Sequence, residues 1–284
     1  MLKPYFIAEV SSNHNLSLNR CKRIIQEAKN SGFDAVKFQL FKIEGLFHES
    51  ILKKSKSHRQ RKKWELPLYF IPQLKKECVK NKIKFGCTPF YLSAVDELKP
   101  YVDFFKISSY EILWEDLLIK CAKTKKPIII STGMANFKEV SNAIKILKLN
   151  GAKKIYLLHC VSEYPANYKN LNLNSINFLR EKFKIPIGWS DHTRDALIIK
   201  EIIDFYKVNI IEFHIDLDTK GYEYKQGHCW LPNEIKKITN FYNNKKVIKG
   251  FKFKKPSEVE ILERDWRADP SDGLRPLKKI RDHG

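Results

Sequence analysis

Eight short apolar runs of strand character alternate with amphipathic helical runs along most of the 284-residue chain, and that alternation constrains the fold most. The strand runs fall at residues 5–10, 34–40, 83–88, 103–108, 127–132, 153–160, 185–190 and 209–215. Between them, apolar positions three and four residues apart predict helices over 17–31, 67–82, 115–125, 138–150, 173–183 and 194–206, the first capped by Ser17. Parallel strands joined by crossover helices are covered on both faces. Ile128-Ile129-Ile130 and Ile155-Tyr156-Leu157-Leu158 accordingly show little polar alternation. Eight such units in about 240 residues fit an α/β fold of the closed (β/α)8 TIM-barrel class better than an open doubly wound sheet. The prediction is a single-domain barrel over residues 1–255 with a C-terminal tail over 256–284.

Two segments exceed ordinary loop length. Residues 41–66, after the second strand, carry Lys53-Lys54 and Arg59-Gln60-Arg61-Lys62-Lys63 and read equally as a lid over the active face or as a mobile insertion. The tail, with Trp266-Arg267-Ala268-Asp269-Pro270-Ser271-Asp272-Gly273, holds too many turn formers for one long helix.

Composition narrows the function. No apolar run approaches the roughly 20 residues of a membrane span. Met1-Leu2-Lys3-Pro4-Tyr5 leads straight into a strand without the features of a signal peptide, so a cytoplasmic protein with no membrane partner is expected. Six cysteines without a Cys-x-x-Cys pair argue against a zinc ribbon or redox motif. Neither Gly-x-Gly-x-x-Gly nor a P-loop is present. The net charge of +21 comes from lysines spread over many segments. It reads first as a solvated surface, second as attraction for anionic substrates, and only third as nucleic-acid binding.

In a barrel of this type, reactive groups sit at the C-terminal strand ends. Every strand run ends in polar residues: Glu9 with Asn13-His14; Lys37 and Gln39; Thr88; Lys106, Ser109 and Glu111; Ser131-Thr132; His159 with Ser162 and Tyr164; Ser190-Asp191-His192-Thr193; and Glu212 with His214. One lysine or histidine at a strand end is more often structural than catalytic. The convergence favours a site, because two strand lysines are costly to bury without an anionic partner. Lys37 and Lys106 with the hydroxyls of Thr88, Ser109, Ser131 and Ser190 suit a phosphate or carboxylate. His192 and His214, on adjacent strand ends, suit one divalent metal. Glu9 and Glu111 are expected to ion-pair with Lys37 or Lys106.

Taken in order, these strings resemble the N-acetylneuraminate (sialic acid) synthase family. They are Ile7-Ala8-Glu9-Val10, Ala35-Val36-Lys37-Phe38-Gln39, Thr88-Pro89-Phe90, Phe105-Lys106-Ile107, Ser131-Thr132-Gly133-Met134, His159-Cys160, Tyr164-Pro165 and Ser190-Asp191-His192-Thr193, followed by Glu212 and His214. The resemblance implies a barrel enzyme that condenses phosphoenolpyruvate with an N-acylated sugar aldehyde such as N-acetylmannosamine. It implies phosphoenolpyruvate binding by Lys37, Thr88, Lys106, Ser109, Ser131 and Ser190, with Ser162 beside them. His192 and His214 would hold Mn2+ or Mg2+, and Glu9, Glu111 and Tyr164 would serve as acid/base groups or sugar contacts. Gln39 is a further sugar candidate, and a homodimer is implied.

Two departures from the family pattern carry expectations of their own. The C-terminal antifreeze-like domain that would supply an arginine to the sugar is not expected here. Arg267 or Arg275, or the basic 41–66 segment, is expected to substitute. The family's sugar-contacting aspartate has no clear equivalent after His214, and Glu223 stands in as the candidate, with His228 as a further contact. Competing readings are another barrel aldolase using phosphoenolpyruvate or phosphate, with Schiff-base chemistry on a lysine, and a non-catalytic nucleic-acid-binding protein.

Overall fold

The computed structural model describes residues 3–249 and 254–281. Its strands are β1 (Tyr5–Glu9), β2 (Ala35–Leu40), β3 (Lys84–Pro89), β4 (Phe104–Ile107), β5 (Ile128–Ser131), β6 (Ile155–His159), β7 (Ile187–Asp191) and β8 (Ile210–His214). All are parallel, each pairs with the next, and β8 pairs with β1 to close an eight-stranded barrel. The expected fold class is therefore present, strand for strand. The predicted helices are also in place, Ser17 accepting from the Arg20 N–H as the cap of Leu18–Asn30. Residues 67–82 open on a 3-10 turn, Leu68–Phe70, before helix Ile71–Lys80. Of the helices that follow barrel strands, Leu92–Leu98, too short to show a period, and Pro232–Asn243, which follows an irregular stretch, were not predicted.

Side-chain alternation along each strand divides the interior. Phe6, Val36, Phe38, Ile211 and Phe213 face outward into the layer between strands and helices. Ile7, Ala35, Phe104, Ile129, Leu158 and Ile210 face inward and plug the N-terminal half of the barrel. Gly86 makes room for that plug, since a Cβ there would collide with the Phe104 ring. One step further along the same inward rows come Glu9, Lys37, Glu212 and Ser190, so the apolar plug forms the floor beneath a polar upper layer. The register places Glu9 opposite both Lys37 and His214, and Ser190 opposite Glu212.

Compactness divides the chain into Met1–Asn243 and Asn244–Gly284. The first unit ends where the helix after β8 ends, ahead of the boundary expected at residue 255, because that helix completes the eighth β/α repeat. The second unit contains the short helices Glu258–Glu263 and Lys278–Arg281 joined by a turn-rich segment. Among the described residues no helix is long and apolar enough to cross a membrane.

Candidate active site

At the C-terminal ends of the strands lies a cavity of about 780 Å³ lined by the inward polar rows and by the loops above them. On its floor Lys37 and Lys106 are each only 3% exposed. Lys37 is ion-paired with Glu9, lies 3.8 Å from Glu212, and donates to Thr88 Oγ1 at 3.1 Å. Burial works against its charge, but Glu212 and Glu9 outweigh that and raise its pKa. Lys106 has, among the described residues, only Glu212 within ion-pair distance, at 3.6 Å, and its pKa is lowered by burial, with Lys37 adding to the effect. The expected partner of Lys106, Glu111, is instead bonded by Ser108 Oγ. Burial pushes the Glu111 carboxyl up, which suits it to hold a proton.

Glu212 is the floor residue that sequence reasoning left outside the site. Burial would raise its carboxyl, but Lys106 and Lys37 hold it below the ordinary range. Ser190 donates to it at 3.0 Å. Its signal was its spacing of two from His214 on one strand, which puts both side chains on the inner face.

The hydroxyls divide into two groups. Ser109, Ser131 and Ser190 line the cavity. Thr88 is fully buried behind Lys37, and Ser162 lines an adjoining cavity beside His159 and Phe178. Ser131 Oγ and Ser162 Oγ are buried without any hydrogen-bond partner, as befits donors kept for a ligand. Gly133 lies between the two groups, its N–H donating to Ser109 Oγ at 3.0 Å. An added Cβ would meet Ser162 Oγ, Ser109 Oγ at 3.0 Å and Cys160 Sγ at 3.1 Å. Gly133→Ala is therefore expected to destabilise the barrel by about 1–3 kcal/mol by overpacking. A urea midpoint unchanged from the parent would contradict that crowding.

The imidazoles form the opposite wall. The His192 ring centre is 5.5 Å from that of His214, and His228 lies 5.1 Å from His214. His192 Nδ1 donates to the Val161 carbonyl at 2.6 Å, which leaves the Nε2 lone pair free. Burial, with His214 nearby, pushes its pKa down to about 3, so the ring is neutral. His214 Nδ1 donates to Glu223 Oε2 at 2.8 Å; burial works against its charge, but Glu223 outweighs that and raises its pKa. Tyr164 covers this wall, its ring 4.1 Å from that of His192. Asp191 is a brace: it accepts from the Trp189 and Trp230 indoles and from Thr193 and Arg194 N–H groups, fixing the turn that presents His192.

Glu223 lines the cavity, but its oxygens are engaged within the protein. Oε1 accepts from Ser12 N and Oγ at 3.1 and 2.7 Å, and Oε2 faces His214, so it sits behind the imidazole and not at an open sugar position. Glu9 accepts from Gln39 Nε2 at 2.8 Å and from the Ser11 N–H at 3.0 Å, and both glutamate and glutamine reach the cavity. His214, Glu223 and His228 each offer a ligand atom within 4.8 Å of the others, and His228 Nδ1 is buried without a partner. Arg267 and Arg275 belong to the second unit, where Arg267 Nε donates to the Arg264 carbonyl at 2.7 Å.

The 41–66 segment is built of short helical turns, Ile43–Leu46, Glu49–Lys54, Lys56–Arg59 and the 3-10 turn Gln60–Trp64. It brings Phe47, His58, Arg61 and Trp64 to the cavity wall, which is the lid reading.

A parallel barrel whose strand ends converge on a buried lysine pair, hydroxyls and imidazoles has the makings of a barrel synthase, and the chain is an enzyme of that kind. It belongs to the NeuB family, whose model matches residues 24–254. The chain is 37% identical to N,N'-diacetyllegionaminic acid synthase of Campylobacter jejuni, over 92% of this chain and 81% of that protein. It is also 37% identical to an uncharacterized protein of Methanocaldococcus jannaschii, over 91% of this chain and 76% of that one. Among solved structures, N-acetylneuraminic acid synthetase of Leptospira borgpetersenii in complex with citrate superposes with a TM-score of 0.78. That pair is 30% identical, covering 92% of this chain and 90% of the other.

Proposed function

We propose that the barrel condenses phosphoenolpyruvate with an N-acylated amino-sugar aldehyde and water to give a nine-carbon 2-keto acid of the sialic type and inorganic phosphate. The observation that carries this reading is the meeting, in one cavity, of an anion-binding floor, where Ser131 Oγ has no hydrogen-bond partner, with a wall that presents His192 and His214. The names of the synthase relatives point the same way.

The floor binds the anion. Lys106 and the Ser109, Ser131 and Ser190 hydroxyls hold the phosphoryl and carboxylate oxygens, and Lys37 keeps Glu9 and Glu212 in place. The enol carbon attacks the aldehyde carbon, water adds to the carbon that bore the phosphate ester, and the tetrahedral species loses phosphate into the same cradle. Glu9, beside Lys37 and oriented by Gln39, is placed to take a proton from that water. Glu111, its carboxyl raised by burial, is suited to supply one to the nascent alkoxide. Tyr164 excludes water from the imidazole wall.

A divalent cation, Mn2+ or Mg2+, suits His192 and His214 on two grounds. Both rings are fixed by a hydrogen bond at Nδ1, the arrangement of metal-bound histidine, and on His214 a bound cation would take the place of the Nε2 proton that Glu223 favours. Two floor lysines face two floor carboxylates, so an incoming phosphoenolpyruvate needs further positive charge. Bound there, the ion would act as a Lewis acid on the acceptor carbonyl. In this setting Glu223 orients His214. Glu223→Gln is expected to weaken Mn2+ binding roughly 10–100-fold. Calorimetric titration checks this, and an unchanged affinity would remove Glu223 from the metal wall.

The reaction is tested by phosphate release from phosphoenolpyruvate across a panel of N-acylated hexosamines, with and without Mn2+. Release that requires both acceptor and metal is expected. Lys106, with its lowered pKa, also suits a Schiff base. Covalent trapping of substrate on Lys106 by borohydride would select that chemistry over the one proposed.

A further inference from the structure

The roof of the cavity holds a cation that the reaction as proposed does not use. Arg61 lines the cavity from the Gln60–Trp64 turn, its guanidinium 5.4 Å from the centre of the Phe47 ring and 6.0 Å from that of Trp64. Two of its basic neighbours are engaged elsewhere, and a third, Lys63, lies over the Trp64 ring at 5.5 Å. Lys62 bonds Glu44 at 2.7 Å, and Arg59 donates to the Leu52 and Lys53 carbonyls. No carboxylate among the described residues lies within ion-pair distance of Arg61.

The turn that carries Arg61 is pinned to the barrel. Trp64's carbonyl accepts from His14 Nε2 at 3.1 Å, its ring lies 5.6 Å from that of Tyr222, and Glu65 accepts the Ile43 N–H at 2.7 Å. A guanidinium held against two rings on an anchored turn keeps its fork of N–H groups for a partner at lower entropic cost than a free surface lysine. The cavity therefore has two positive poles. One is the deep lysine pair, balanced by Glu9 and Glu212; the other is Arg61 at the rim, which no carboxylate balances.

An acceptor whose aldehyde carbon lies on the floor, where the enol carbon attacks it, directs the far end of its chain toward the rim. We propose that Arg61 determines acceptor specificity by pairing with an anionic group, phosphoryl or carboxylate, on the sugar carbon farthest from the aldehyde. This rests on the condensation reading above and adds the substrate class to it.

The test uses the intact chain with phosphoenolpyruvate and Mn2+ and compares a neutral N-acylated hexosamine, its 6-phosphate and its 6-carboxylate. An anionic acceptor is expected to show a KM at least about tenfold below the neutral one, the scale of one charge-assisted hydrogen bond. Whichever anion does so identifies the group. In Arg61→Ala the KM of that acceptor rises about tenfold and converges on that of the neutral sugar, with the effect falling on KM and not on kcat. Arg61→Lys recovers part of the difference. A parent enzyme that handles the neutral acceptor as well as the charged ones would overturn the proposal while leaving the condensation standing. So would an Arg61→Ala variant that shifts all acceptors alike. Absence of phosphate release with every acceptor would overturn the condensation itself, and this inference with it.

Discussion

Lys37→Met is expected to abolish phosphate release from phosphoenolpyruvate and to destabilise the barrel by about 3–5 kcal/mol, the usual cost of leaving a buried charge without its partner. Among the described residues Lys37 is the only lysine or arginine paired with Glu9 and one of two facing Glu212, and both carboxylates are nearly inaccessible. Removing the ammonium leaves Glu9 without its paired cation and Glu212 with Lys106 alone, at the mouth of an apolar plug. Activity should fall by three orders of magnitude or more, roughly, since the anion floor then repels the substrate it should hold. The double change Lys37→Met with Glu9→Gln separates the two effects. It should recover a good part of the stability, read by urea denaturation, and none of the turnover. A Lys37→Met protein within about 1 kcal/mol of the parent would show that the floor is not held by this pairing.

Chelation should silence the enzyme, and added Mn2+ should restore it. The physical signature is also expected without substrate. An ion that binds the folded chain alone stabilises it by about 2.7 kcal/mol at a hundredfold excess over Kd, seen as a rise in Tm. His192→Ala and His214→Ala should each lose that rise, because each removes one of the two cavity-lining imidazoles proposed to hold the ion. Lys106→Met should lose activity and keep the metal-dependent rise, as its side chain belongs to the floor. A metal effect on Tm that survives both histidine changes would move the site to another set of donors.

The barrel was legible because its signal is local and repeated. Each strand run and most helices announce themselves by period and by capping within a dozen residues. Leu92–Leu98 was missed because it spans barely two turns, and Pro232–Asn243 because the loop before it carries no repeat. The polar strand ends were legible for the same reason: Lys37, Lys106, Ser131, Ser190, His192 and His214 sit within or just beyond the recurring strands. Thr88 and Ser162 hold equivalent places in the sequence and yet fall behind or beside the cavity, because small differences in strand end and register decide which hydroxyl reaches the mouth.

The sequence by itself determined the eightfold β/α order, the apolar plug with a polar layer above it, and the residue types from which a site could be made. Tertiary structure alone decided the partnerships. It gave Lys106 to Glu212 and not to Glu111, set Glu223 behind His214, and drew Arg61 from a basic stretch onto two aromatic rings above the cavity. Those contacts join residues more than a hundred positions apart, as Lys106 and Glu212 are, or turn on how an irregular loop folds back. Such pairings depend on barrel closure and strand register, which no periodicity within one segment encodes.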